Sequence, residues 1–254
     1  MKEGISFDKL GAGSPVILLH GFPMNRQVWD DFAPKLAQNF TVFMPDLPGF
    51  GDSPLMEGSF SLTTIATRIL AWMKAVGISS PAAIVGHSMG GYVALEMARQ
   101  SPSSFHSLVL FHSTALADSS EKKESRTKVV DFVKTNGVLA FTSNFIQPLF
   151  ADQDHPAIQT IRNITVQATA ESVTGYTTAM RDRRDNQKVL EAFTGNVLLI
   201  GGDSDKGIPE DSLVKQGDLG SHIEVEILVD TGHMGMVEKP DETLALIRKF
   251  LRKK

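Results

Sequence analysis

Six short runs rich in apolar and β-branched residues punctuate the chain: Pro15 to Leu19, Thr41 to Met44, Ala82 to Val85, Ser107 to Phe111, Asn196 to Ile200 and Ile223 to Val229. Most are apolar throughout rather than alternating, the pattern of strands covered on both faces, as in a parallel sheet. Helix-patterned stretches lie between them. Val28, Trp29, Phe32 and Leu36 fall on one face, as do Leu62, Ile65, Ile69, Trp72, Met73 and Val76, with Gly77 placed to end that helix. Pro240 opens a last helix with Leu244, Ile247 and Leu251 inward. Strand and helix in alternation predict an α/β fold: a mostly parallel twisted sheet with helices on both faces. Ile5 to Leu10 reads as an edge strand, paired in a hairpin across Gly11 to Ser14.

The alternation stops between Thr114 and Lys188, where no strand pattern occurs. Asp118 to Asn136, with Val129, Phe132 and Val133 inward and Gly137 as its stop, reads as a helix, and Pro156 to Thr169 and Glu171 to Asp182 as two more. An all-helical insertion after the fifth region of the strand series predicts a cap of residues 114–188 on a core of residues 1–113 and 189–254. Its expected place is over the strand C-termini, where open α/β sheets bind ligands.

Ser88 sits in Gly86-His87-Ser88-Met89-Gly90-Gly91, directly after Ala82-Ala83-Ile84-Val85. A serine between glycines, with a buried strand before it and a helix after it, reads as a nucleophile elbow. The glycines suit a turn too tight for a Cβ, and the new helix aims its N–H groups at whatever the serine attacks. Serine needs a base, and the base an orienting carboxylate. His233, in Thr231-Gly232-His233-Met234 just past the last strand, is the candidate base. Asp203 and Asp205 both follow the Asn196 to Ile200 strand; the spacing Gly202-x-x-Asp205-x-x-x-Pro209 favours Asp205, leaving Asp203 as a turn former and Asp118 as a third candidate. An oxyanion needs two N–H donors. Met89 supplies one, and Phe22, in His20-Gly21-Phe22-Pro23, the other, since Pro23 has no donor. His20 is expected to brace that loop and His87 to be structural. Met24, Phe141, Phe145, Phe150 and Met234 are the candidate pocket lining.

Composition removes several function classes. The chain contains no cysteine, which excludes disulfides, a thiol nucleophile and thiolate metal sites. A net charge of −4 without a basic stripe argues against nucleic acid as a partner, and the cations from Arg248 to Lys254 suit the end of a last helix. Met1-Lys2-Glu3-Gly4 carries no apolar signal segment and no run is long enough for a membrane span, so a cytoplasmic location is expected.

With these residues in view, the chain resembles the α/β-hydrolase superfamily, in its lidded esterase, lactonase and haloperoxidase-like branch. The resemblance rests on His20-Gly21-Phe22-Pro23, on Asp46-Leu47-Pro48-Gly49-Phe50-Gly51-Asp52-Ser53, on the elbow, and on Gly232-His233 with Glu238-Lys239-Pro240 beyond. It implies an acyl-enzyme route on a small carboxylic ester or lactone: Ser88 as nucleophile, His233 as base, Asp205 as orienter, Phe22 and Met89 N–H as oxyanion donors, and neither cofactor nor metal. It implies a structural role for the Asp46 loop. The same triad runs perhydrolysis, thioester cleavage and C–C hydrolysis, and some relatives are small-molecule receptors with slow hydrolysis; these alternatives stay open. The chain departs from the family in a short N-terminus, so that the outermost hairpin strand is reduced or missing. It also carries a charge cluster, Arg181-Asp182-Arg183-Arg184-Asp185, which reads either as a lid-to-core ion-pair hinge, with Asp185 capping a helix, or as a contact for an anionic substrate.

Overall fold

A computed structural model describes residues 4–58 and 60–253. Met1 to Glu3, the start of the stretch expected to lack a signal segment, and Lys254, the last cation of the tail, lie outside the described residues. The strands are β1 (Phe7–Leu10), β2 (Pro15–Leu19), β3 (Thr41–Pro45), β4 (Ala82–His87), β5 (Phe105–Phe111), β6 (Asn196–Gly202) and β7 (Ile223–Leu228). They form one seven-stranded sheet in the order β1-β3-β2-β4-β5-β6-β7, parallel except for β1.

The apolar runs are covered on both faces because successive side chains point to opposite sides. Ile17, Leu19, Ile84, Leu108 and Leu110 face one core layer, packed against α2 (Leu62–Ala75) and α3 (Met89–Gln100). Val16, Leu18, Val85, Val109 and Phe111 face the other, under α10 (Pro240–Leu251) and a segment around Trp29. That segment is not one helix: a 3₁₀ turn, Arg26–Trp29, precedes α1 (Ala33–Leu36).

The expected hairpin does not form. β1 pairs antiparallel with β3, Phe7 opposite Pro45 and Leu10 opposite Val42. Both edges of β2 are already taken by parallel partners, β3 and β4, so the outer edge of β3 is the one left for β1. Gly11, at φ 73°, lets the link cross the end of β3 instead of folding back.

The helical insertion follows β5, the fifth strand in chain order and the fourth of the parallel set, since β1 runs antiparallel. It contains α4 (Ser120–Phe145), α5 (Ile158–Thr165) and α6 (Ala170–Arg181). Gly137, at φ 82° and ψ 170°, breaks α4 as expected, but a second helical stretch resumes and runs to Phe145. Phe132, expected inward, is 42% exposed; Val133 is buried as expected, and Val130 joins it on the buried face. α7 (Gln187–Ala192) straddles the expected boundary at residue 188, with Leu190 buried in the core layer beneath α3. α8 (Glu210–Gly217) and α9 (Gly235–Glu238) complete the chain. Among the described residues no helix is long and apolar enough to cross a membrane.

Candidate active site

The strand order reverses between β2 and β4: β2 leads outward to β3, and β3 returns across the sheet to β4. Such a switch point opens a crevice at the strand C-termini. Here it lies between the β2 exit, carrying Phe22, and the β4 exit, carrying Ser88. The two exits touch: a Cβ on Gly90 would meet Leu19 O at 2.4 Å, and one on Gly86 would meet Gly90 C at 2.5 Å. Glycine is therefore required at both positions.

Ser88 is the N-cap of α3, at φ 51° and ψ −114°. This region is costly for a residue with a Cβ, on the order of 1–3 kcal/mol, and persists only where neighbours enforce it. Ser88 N–H donates to Phe111 O at 2.9 Å, and Ser88 O accepts from Gly91 N at 2.9 Å and from Ser113 Oγ at 2.8 Å. The side chain is thereby held at the tip of the turn.

Three residues distant in sequence meet there. His233 Nε2 lies 2.8 Å from Ser88 Oγ, and His233 Nδ1 lies 2.7 Å from Asp205 Oδ2. Asp205 Oδ1 accepts from Gly207 N at 2.8 Å and Ile208 N at 3.1 Å. Burial pushes the Asp205 carboxyl up, but His233 and His112 beside it hold it well below the usual carboxylate range. The other two carboxylates stand elsewhere. Asp203 is a surface acceptor for Asp230 N and Thr231 N, at 3.0 and 3.2 Å. Asp118 pairs with Arg126 and Arg183.

Two residues of this network carried no role in the sequence reading. His112, fully buried just past β5, accepts from Gly235 N at its Nε2 (3.2 Å) and donates from Nδ1 to Asp205 Oδ2 (3.1 Å). Its place at the C-terminal end of a central strand, the ligand-binding edge of such sheets, was the available signal. Glu238 staples the His233 loop, accepting from Gly232 N at 3.1 Å, Met234 N at 3.0 Å and Ala151 N at 2.7 Å.

His20 and His87 are braces. His20 donates from Nδ1 to Gly21 O (3.0 Å) and accepts from Leu47 N (2.9 Å), tying the β2 exit to the Asp46 loop. His87 Nε2 donates to His233 O at 2.8 Å. Asp46 accepts from Arg26 N at 2.8 Å and Asp52 N at 2.9 Å, away from Ser88.

Burial lowers the pKa of His20; burial, then the neighbouring His233 and His112, lower that of His87; and burial outweighs Asp205 in lowering that of His112. Below the ordinary histidine value of about 6.5 the unfolded chain binds protons that these folded rings refuse. Stability is therefore highest above that pH and falls as pH drops through and below it, by up to about 1.4 kcal/mol per pH unit for each ring. Denaturant midpoints across this range are expected to fall on acidification, and His20→Gln to flatten the slope. An unchanged midpoint would show that the rings charge within the fold.

Among the described residues, His112, Asp205 and His233 form the one group with metal-ligand spacing. Their donor atoms are spent within the hydrogen-bonded set: both Nδ1 atoms face Asp205 Oδ2, and the two Nε2 atoms meet Ser88 and Gly235. The donor set thus fits a proton relay better than an ion.

Neither the Phe22 nor the Met89 N–H has an acceptor among the described residues, so both are free for a ligand oxygen. A cavity of about 220 Å³ opens over Ser88 and His233, lined by Phe22, Leu149, by α4 residues from Lys122 to Phe145, and by Thr177 and Met180 of α6. Met24, Phe150 and Met234 do not line it. All three belong to the core layer under the opposite face of the sheet, with Phe150 stacked on His155 at 5.3 Å. Nearness in sequence to the site did not reveal which face each would take. The helical insertion rests on the His233 loop: Leu149 O accepts His233 N–H at 2.6 Å.

The charge cluster ties segments together. Arg183 Nη1 meets Asp118 Oδ1 at 2.7 Å and its guanidinium stacks 4.1 Å from the Tyr92 ring centroid, while Arg184 reaches Glu96 on α3 at 3.3 Å. Asp185 accepts from Gln187 N at 3.0 Å at the start of α7. None of Arg181, Arg183 and Arg184 lines the cavity.

Residues 16–246 match the profile of the alpha/beta hydrolase family. Over 106 residues the chain is 40% identical to a pimeloyl-[acyl-carrier protein] methyl ester esterase from Aeromonas salmonicida, a match covering 41% of this chain and 40% of that protein. The chain thus spans about two fifths of the length of such curated relatives. An esterase from Thermogutta terrifontis, solved with malate bound, superposes with a TM-score of 0.92 at 30% identity, covering 98% of this chain and 93% of that one. The enol-lactonase from Burkholderia xenovorans LB400 shares the fold, with a TM-score of 0.89 at 19% identity over 98% of this chain and 96% of that one. The profile match over most of the chain and the full-length likeness to the esterase lead to one assignment: the chain belongs to the alpha/beta hydrolase family.

Proposed function

We propose that the protein is a serine hydrolase cleaving a small carboxylic ester or lactone through an acyl-enzyme. The observation that carries this reading is the unbroken chain Ser88 Oγ, His233, Asp205, with contacts of 2.8 and 2.7 Å, opening on a largely apolar cavity. The esterase and lactonase names of its relatives support it.

In this mechanism Ser88 Oγ attacks the carbonyl carbon as His233 Nε2 takes its proton. Asp205, ionised and satisfied by four N–H donors, keeps the other imidazole proton on Nδ1 and stabilises the imidazolium. Phe22 and Met89 N–H receive the oxyanion. On collapse, His233 returns the proton to the departing alcohol, and water then releases the acid by the same steps in reverse. Residues 114–188 act as a cap that limits water and shapes the acyl site.

A panel of p-nitrophenyl esters of rising chain length, with lactones and thioesters, tests the reading. Steady turnover of about 1–1000 per second on at least one short ester or lactone is expected. Stoichiometric release followed by arrest would instead favour a receptor on this fold.

A further inference from the structure

Two cations line the cavity together with the phenylalanines. Lys122, Ser125, Arg126 and Val129 lie three and four residues apart on α4 and line the same space as Ser88 and His233. Arg126 is anchored but not saturated. Its Nε is paired with Asp118 Oδ2, its Nη1 meets only the Met180 thioether at 3.7 Å, and its Nη2 has no acceptor among the described residues. A thioether is a weak acceptor, so most of the guanidinium fork remains to be used.

Asp118 does not cancel this charge, because it is shared with Arg183. Arg183 is held outside the cavity: it bonds Leu116 O at 3.1 Å and Met180 O at 2.9 Å, and it covers the Tyr92 ring. Lys122 adds a second cation, with Nζ donating to Gly207 O at 3.0 Å and two further protons to offer. Burial, then the nearby Arg126, push the Lys122 ammonium below its ordinary value, as expected where positive charge is in excess. Arg126 and Arg183 share the one carboxylate of Asp118, and Asp205, the other carboxylate acting on Lys122, is already committed to two imidazoles.

We infer that this end of the cavity is a carboxylate subsite, so that the preferred ester carries a free acid group in its acyl or alcohol part, such as a monoester of a dicarboxylic acid. The inference rests on the hydrolase reading for the fate of the ester, but not for the binding of the acid. The free carboxylate takes the Arg126 fork and Lys122, while the apolar wall from Phe22 to Phe145 holds the methylenes and brings the ester carbonyl to Ser88.

The test compares kcat/KM for monomethyl esters of dicarboxylic acids, from succinate to suberate, with methyl esters of uncharged acids of the same lengths. At least about tenfold preference for one acid monoester is expected. The preference should fall about 10- to 100-fold in Arg126→Gln and by a smaller factor in Lys122→Gln, which removes one hydrogen bond to Gly207 O and leaves the Asp118 pairs intact. Rising salt should raise KM for the acid monoesters alone. A preference for the uncharged series, or an acid-to-neutral ratio that neither substitution moves, overturns the subsite. If wild type labels with a fluorophosphonate and cleaves uncharged esters while that ratio stays fixed, the subsite fails and the hydrolase reading stands. If no ester turns over, calorimetry with succinate and glutarate on Ser88→Ala decides the subsite separately: binding weakened by Lys122→Gln supports it, and binding that is absent or insensitive to that change overturns it.

Discussion

Ser88→Ala is expected to abolish covalent labelling by a fluorophosphonate and to lower ester turnover about 10⁶-fold, the loss typical of removing the nucleophile of a serine triad. The fold should survive. The unusual backbone at Ser88 is held by main-chain contacts to Phe111 and Gly91 and by the Ser113 hydroxyl, none of which uses Ser88 Oγ. Labelling and unfolding midpoint measured on the same sample check both halves of the expectation. Labelling that persists would remove Ser88 as nucleophile, and with it the proposed mechanism.

Asp205→Asn is expected to lower kcat about 10⁴-fold, as loss of the orienting carboxylate does in serine proteases. The structure gives the reason. All four contacts to the Asp205 carboxylate come from N–H donors, two imidazoles on Oδ2 and two backbone amides on Oδ1. An asparagine must turn its NH₂ toward one of those pairs, setting donor against donor. Either His233 takes the wrong tautomer or the Gly207 turn opens. Asp203→Asn, at a surface position whose partners are backbone amides of the next loop, should leave kcat within about tenfold, since surface changes are usually small. A larger loss at position 203 than at 205 would reverse the assignment.

The parts of this site written in contiguous sequence could be read directly. Strand, glycine, serine and helix follow one another from Ala82 to Gln100, so the pattern of the turn is contained in one stretch. His233 and Asp205 were approachable because each follows a strand, and a parallel sheet gathers its strand exits at one edge. What the sequence could not disclose was non-local or depended on facing. The partner of β1 was settled by which edges other strands had occupied. Met24 and Met234 sit beside reactive loops in sequence yet beneath the sheet in space, because adjacent residues on a strand or its exit point to opposite faces. His112 belongs to no spacing pattern, and its role emerges once β5 and β6 lie side by side and bring it against Asp205. Arg126 lies in the Asp118 to Asn136 stretch, where the apolar positions gave a helix and nothing singled this residue out; it lines the cavity once α4 packs against α6.

The ion pair between Asp118, where the chain leaves the sheet for the helical insertion, and Arg183, where it prepares to return, brings both ends of a long excursion to one point. A segment clasped at its neck transmits little of its own length to the scaffold that bears it. Its interior can be lengthened, trimmed or repainted with new side chains while β5 and β6 keep their spacing. The lining that the insertion gives the cavity can therefore drift while the residues at the strand exits stay in register.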